Sequence, residues 1–224
     1  RPHAQTTDCP VCGPRLTLMD GDGRAMQIED PIGEAAELLD AGSILAIRGI
    51  GGFHIACIEE RAGELKARLG RTEQPFAVMS REEALDAMAC VEAGDWKVLR
   101  SEVHPIAVLA KRDPTAHAAI SNLHTIGYML PYAPLHHLLF SCLKAPLLIM
   151  TSANVPGYPM ITEVDTAVAK LRGQVDYYLT HDRRILNRCD DSVVRDGFII
   201  RLSRGIAPKR TRIDLGPSCI LGVG

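Results

Sequence analysis

The sequence predicts an α/β fold: one domain in which helices flank a twisted sheet of mixed parallel and antiparallel strands. Three observations carry this. Apolar runs of strand length alternate with helix-period segments from residue 31 to residue 180. Asp196-Gly197, between two β-rich segments, is a hairpin signal and brings antiparallel pairing into that alternation. With 46% hydrophobic and 23% charged residues among 224, the chain can bury one sizeable core.

In chain order, Pro31 opens a helix whose Ile32, Ala35, Ala36, Leu38 and Leu39 share a face, and Gly42 ends it. Residues 43–48 are an apolar strand running into Gly49-Ile-Gly-Gly52, and residues 53–57 a second strand. Residues 60–69 read as a helix, 76–79 as a buried strand, 81–89 as a helix and 106–111 as a strand. Residues 128–134 hold Pro131 and Pro134 and are extended or turned, with a helix following at 135–143. The strand 146–150 runs into a polar loop, 151–158. The helix at 162–171 has acidic residues early and Lys170 and Arg172 late, which suits its dipole. Strands at 175–180, 192–195 and 198–202 complete the pattern.

Residues 1–24 show little apolar periodicity and read as a small module or linker, 25–214 as the main domain, and 215–224 as a stub resembling the first strand of another domain. The net charge of −2 gives no global attraction to nucleic acid or an anionic membrane, so an anion-binding surface has to be local. The apolar runs are too short to span a bilayer. Seven cysteines, an odd count, fit a reducing cytoplasm better than a secreted disulfide framework.

Four segments are candidates for chemistry. Cys9-Pro-Val-Cys12 has the bite of half a zinc site. No second pair follows at zinc-ribbon spacing, so a free dithiol and, more distantly, catalysis stay open, with His3 a weak third ligand. Lys66, Arg68 and Arg71 gather cations at a helix end before Pro75-Phe76. They suit a phosphate clamp, or more plainly a solvated helix terminus. Thr151-Ser152-Ala153-Asn154 follows an apolar strand, where open α/β sheets hold ligands. It can cradle an anion or merely cap a turn, and no P-loop pattern exists in the chain. Between 183 and 212, nine Lys or Arg face three Asp, a local bias toward an anionic ligand. There Asp190 and Asp191 suit Mg²⁺, or one of them orients a neighbouring arginine. Of the pair His136-His137, one is expected to point into a cleft and the other to pack. His54, behind Gly51-Gly52-Phe53, starts a strand where glycines allow close ligand approach.

Taken together, the segments Gly49-Ile-Gly-Gly-Phe-His54, Gln74-Pro-Phe-Ala-Val-Met79, Met129-Leu-Pro-Tyr-Ala-Pro-Leu-His-His-Leu138, Met150-Thr-Ser-Ala-Asn154, His181-Asp-Arg183, Asp190-Asp-Ser-Val-Val-Arg195 and Arg204-Gly205 resemble the YrdC-like domain of the HypF carbamoyltransferases. The resemblance extends to both ends: the start looks like the tail of that family's second zinc finger, and Ile220-Leu-Gly-Val-Gly224 like the entry to its Kae-like transferase domain.

The resemblance implies a YrdC-like α/β domain that condenses carbamate, derived from carbamoyl phosphate, with ATP to give carbamoyl-AMP and pyrophosphate. Mg²⁺ would accompany the nucleotide, and Zn²⁺ would be held in the full-length protein. The carbamoyl group would then pass to a cysteine of the partner HypE during nickel–iron hydrogenase maturation. Carried over by position, Arg71, Ser152 and Asn154 are implied as catalytic. Ser192, Val194 and Arg204 are implied with them at the nucleotide, where Thr151 is also expected and Lys66 or Arg68 would supply a cation, and Gly52, Phe53 and His54 at the small substrate. Leu69 and Gln74 stand where lysines are usual, and Ala153 where glycine is common in HypF. Rival readings are a threonylcarbamoyl-AMP synthase serving tRNA modification, an RNA-binding module, against which the net charge speaks, and a purely structural docking role.

Overall fold

Asp30 starts the first helix: its carboxylate accepts from the Ile32 and Gly33 N–H groups at 3.1 and 3.0 Å, ahead of Pro31 at the first helical position. The helix, α1 (Pro31–Asp40), turns Ala35, Ala36 and Leu39 inward. The computed structural model describes residues 13–71, 73–154 and 158–209, with Arg212, Gly216, Cys219 and Leu221.

The described strands are β1 (Leu16–Asp20), β2 (Leu45–Arg48), β3 (Phe53–Cys57), β4 (Ala77–Ser80), β5 (Ile106–Ala110), β6 (Thr125–Met129), β7 (Leu147–Ser152), β8 (Tyr177–His181), β9 (Val193–Arg195) and β10 (Phe198–Arg201). They form one sheet in the order β1-β8-β2-β3-β7-β4-β6-β5-β9-β10. The pairs β2·β8, β4·β6 and β5·β9 are parallel and the others antiparallel, the mixed sheet that the sequence predicts.

Helices cover both faces. On one, α2 (Ala62–Leu69), α3 (Glu82–Met88), α4 (Ala93–Leu99) and α6 (Val164–Leu171) bury Leu65, Leu85, Leu99 and Leu171 with Phe53, Ile55 and Ile149 of the sheet. On the other, α1 and α5 (Pro134–Cys142) bury Leu39 and Leu139 with Ala56, Leu148 and Met150. Because strand side chains alternate between faces, this division settles which face each polar residue of β3 and β7 occupies.

Several elements differ from the sequence expectation. Leu16–Asp20, assigned to the linker, is an edge strand paired antiparallel to β8, from Leu16↔His181 to Asp20↔Tyr177. Its signal is weak because only Leu18 is buried. Helix α4 was not anticipated: it is short and contains Gly94, and its start is held by the Asp95 carboxylate accepting from Glu92 N–H at 2.9 Å. Thr125–Met129 is a strand, so the extended stretch starts earlier than expected, while β7 continues through Thr151 and Ser152, assigned to a loop. Cys9, Cys12, His3, residues 155–157 of the polar loop and most of 215–224 lie outside the described residues.

Leu148, the second residue of β7 and fully buried, is a direct test of the packing. Leu148→Ala is expected to lower the unfolding free energy by about 2–5 kcal/mol, read from the urea midpoint at unchanged slope.

Candidate functional site

The site is built where β3 begins and β7 ends, two antiparallel strands with His54 opposite Ser152 and Ile55 opposite Thr151. Thr151 lies on the face of Ile149 and Ile55; Ser152 and His54 lie on the face of Met150 and Ala56.

On the first face, α2 stops at Gly70, whose φ of 63° is left-handed, and the chain turns back so that Arg71 N–H donates to Lys66 O at 2.9 Å. Arg71 Nη1 then donates to Thr151 Oγ1 at 2.8 Å. The Lys66 ammonium and the Arg71 guanidinium stand 5.8 and 6.0 Å from the centre of the Phe76 ring. Burial lowers the pKa of Arg71 from its ordinary value, and no carboxylate pairs with it among the described residues. Two cations thus flank one aromatic ring beside a hydroxyl.

Arg68, expected in the same clamp, is committed elsewhere. Its Nη1 donates to Asp176 Oδ1 at 2.7 Å and its Nη2 to Glu64 Oε1 at 2.5 Å, while the other Asp176 oxygen accepts from Ile44 N–H. It braces the start of β2. Ser152 Oγ donates to Asn154 Oδ1 at 3.1 Å, so the two loop residues are joined.

On the second face His54, only 3% exposed, has Nε2 at 3.0 Å from Asp191 Oδ2. The other Asp191 oxygen accepts from Arg204 Nε at 2.9 Å. Arg204 Nη1 and Nη2 donate to the Val103 and His104 carbonyls at 2.8 Å each, and its guanidinium lies 3.6 Å from the centre of the Tyr132 ring. Tyr132 in turn meets His136 edge-on at 4.5 Å. Burial opposes the charge of Asp191, yet the hydrogen bonds and positive charge of His54 and Arg204 hold its carboxyl well below the usual range. Burial, with His54 next, pushes His136 down to about 3.

Other expected ligands are built in as well. Ser192 is fully buried, and its hydroxyl donates to Arg204 O and accepts from Ser203 N–H, both at 2.9 Å. Val194 lies in β9 between β5 and β10. The Phe53 side chain belongs to the core, its N–H donates to Ile161 O at 2.8 Å and its carbonyl accepts from Ala153 N–H at 2.8 Å, so Phe53 is built into the fold. Asp191, with a bond at each oxygen, orients an arginine; among the described residues no cluster of three or more His, Cys, Asp or Glu is arranged for a metal ion. His136 packs, as one of the pair was expected to. His137 lines a cavity of about 400 Å³ with His104, Arg81 and Phe140. Arg71, Ser152 and Asn154 therefore meet at one end of β7, whereas Arg204 is linked to it only through Asp191 and His54, on the opposite face. Sequence reasoning missed Tyr132, whose only signal was its position beside Pro131.

Comparison with known proteins sets this geometry in context. A model of the Sua5/YciO/YrdC family, described as telomere recombination, matches residues 37–203. A protein of Methanocaldococcus jannaschii named probable carbamoyltransferase HypF is 45% identical over 211 residues, which are 90% of this chain and 27% of that protein. The crystal structure of T. kodakarensis HypF superposes with a TM-score of 0.84 at 44% identity, over 91% of this chain and 28% of that one. Full-length HypF in a phosphate- and nucleotide-bound form gives 0.82 at 37% identity, over the same shares. The chain thus spans little more than a quarter of the length of these relatives. Among the described residues no helix is long and apolar enough to cross a membrane.

A neutral, fully buried His136 makes stability depend on pH. Between 6.5, its ordinary value, and about 3, the unfolded chain binds a proton that the folded one refuses. Stability is therefore present above 6.5 and falls on acidification, by up to about 1.4 kcal/mol per pH unit. His136→Leu is expected to flatten that slope between pH 6.5 and 4, above the window in which Asp191 titrates, as measured by urea unfolding at several pH values.

Proposed function

This chain belongs to the Sua5/YciO/YrdC family, and from that premise we propose that it performs the adenylation step of a HypF-type carbamoyltransferase, forming carbamoyl-AMP from carbamate and ATP. The observation that carries the reading is the Arg71–Thr151 bond beside Lys66. It is a half-buried guanidinium with no carboxylate partner among the described residues, placed at the carboxyl end of a central strand. Such a group suits a polyanion, and nucleotide-bound HypF supports a nucleotide as that polyanion.

In this reaction a carbamate oxygen attacks the α-phosphorus, the bond from that phosphorus to the bridging oxygen breaks, and pyrophosphate leaves. Carbamate is already an anion, so no strong general base is required. The task is to bring two anions together and to stabilise the charge gathering on the phosphoryl oxygens. Lys66 and Arg71 neutralise the triphosphate, Thr151 orients Arg71, and the joined Ser152 and Asn154 offer a hydroxyl and a carboxamide at the reacting end. Arg204 acts from behind by holding Asp191 and His54.

Mg²⁺ would arrive with the nucleotide. Zn²⁺ at Cys9 and Cys12, and delivery of the carbamoyl group to HypE for hydrogenase maturation in the cytoplasm, are part of the same proposal and rest on the HypF resemblance.

The test is exchange of labelled pyrophosphate into ATP in the presence of carbamate, generated from ammonium and bicarbonate. Exchange that needs carbamate supports the reading. Exchange that needs threonine with bicarbonate replaces it with threonylcarbamoyl-AMP synthesis, and no exchange with unbound ATP removes it. Arg71→Met is expected to weaken ATP binding by about 10- to 100-fold in calorimetry, the loss of one charge-assisted contact set, with the fold unchanged by circular dichroism.

A further inference from the structure

Strands β4 and β6 run parallel and end side by side, and a cavity of about 400 Å³ opens outside their carboxyl ends. Open α/β sheets take ligands outside the carboxyl ends of their strands, and this volume is at the lower end of the range for small-molecule sites. The cavity is separate from the Arg71–Thr151 clamp. Ser80, the last residue of β4, pairs with Leu147, whereas Thr151 stands four residues further along β7, about 14 Å away.

Its wall is apolar and its charge is fixed. Leu130 and Pro131 follow β6, and Phe140 comes from α5. Arg81 follows β4, and its Nη2 donates to the Phe140 and Leu143 carbonyls at 2.6 Å each, which caps the end of α5 and holds the guanidinium in place. Its Nε and Nη1 have no partner among the described residues, and no carboxylate there reaches ion-pair distance of it. Glu82, the acid among the lining residues, is already taken: Arg100 Nε and Nη2 donate to its two oxygens at 3.0 and 2.5 Å. The cavity therefore sets one immobilised, uncompensated guanidinium against an apolar wall.

His104 and His137 complete the lining. His104 has a φ of 41°, a left-handed backbone that residues other than glycine rarely adopt and that the surroundings have to hold. Its N–H donates to Ser101 O at 3.0 Å, and its carbonyl accepts from Arg204 Nη2 at 2.8 Å. Burial, then the charges of Arg204 and His137, lower its pKa, so near neutral pH it adds an uncharged ring to the wall and no second cation.

We propose that this cavity binds a small carboxylic acid with an aromatic or branched apolar body, its carboxylate on Arg81 and its body against Leu130, Pro131 and Phe140. One fixed cation matches one negative charge. A sulfate or a phosphate dianion would leave a second charge uncompensated beside apolar groups, which is costly. The site stands independently of the adenylation reading. Through the bond from Arg204 to the His104 carbonyl, its wall is nevertheless continuous with the His54–Asp191–Arg204 chain.

The experiment uses the full chain, nitrogen-15 labelled, with three probes: sodium phenylacetate, its uncharged counterpart phenylacetamide, and sodium sulfate at equal ionic strength. The amides of Arg81, His104, Leu130 and Phe140 are expected to shift saturably with phenylacetate, at least tenfold more weakly with phenylacetamide, and not with sulfate. Arg81→Gln is expected to weaken phenylacetate binding at least tenfold, whereas Arg24→Gln, at an exposed site, leaves it unchanged. Should Arg81→Gln fail to fold by circular dichroism, Ser141→Phe is read in the same way, because it puts a ring at the cavity from an exposed position of α5. Equal affinity for phenylacetamide, or an equal response to sulfate, overturns the proposal. So do shifts centred on Arg71 and Thr151, or no saturable response at the four amides.

Discussion

Asp191 is a carboxylate placed where water scarcely reaches, and both of its oxygens are spent on cations or potential cations from distant parts of the chain. Burying such a charge is costly, and removing one partner of a buried pair typically costs about 3–5 kcal/mol because the other is left uncompensated. The structure meets the cost with a continuous set of bonds. His54 comes from the second strand of the central hairpin, Arg204 from the carboxyl side of the domain, and the Val103 and His104 carbonyls from the segment before β5. Ser192, bonded to the backbone of both Ser203 and Arg204, fixes the same segment. The carboxylate therefore ties three regions that share no neighbouring sequence.

Strand alternation then divides the work. Thr151 and Ser152 are neighbours in sequence but face opposite sides of the sheet, so the Arg71–Lys66 pair and the His54–Asp191–Arg204 chain can be built on separate faces and still meet where the strands end. Arg71, Lys66 and Arg48 bring positive charge without bonded carboxylates, whereas Arg68, Arg100 and Arg204 are consumed by acids. In a chain of net charge −2, this selective pairing leaves a local field suited to an anion.

Legibility followed burial and period. Helix α1 was readable because a proline start, a clean apolar face and a glycine stop agree with one another. Strand β1 was not, since an edge strand with one buried residue carries little pattern, and it forms because β8 offers it a ladder. The cationic cluster at 66–71 was visible as a cluster, but Arg68 and Arg71, three residues apart, have opposite fates. The left-handed turn at Gly70 sends one toward Asp176 and the other toward Thr151.

By itself the sequence determined the α/β class, the order of most elements, the family and the segments that gather at the site, because periodicity, turn residues and motif spacing are local properties of the chain. Which arginines bind anions and which brace the fold was decided only by tertiary structure. That depends on whether a carboxylate from elsewhere arrives within hydrogen-bond distance, and Asp176 and Asp191 reach their partners across 108 and 13 residues of chain. Charge can be counted from the sequence, but its pairing is a property of the folded neighbourhood.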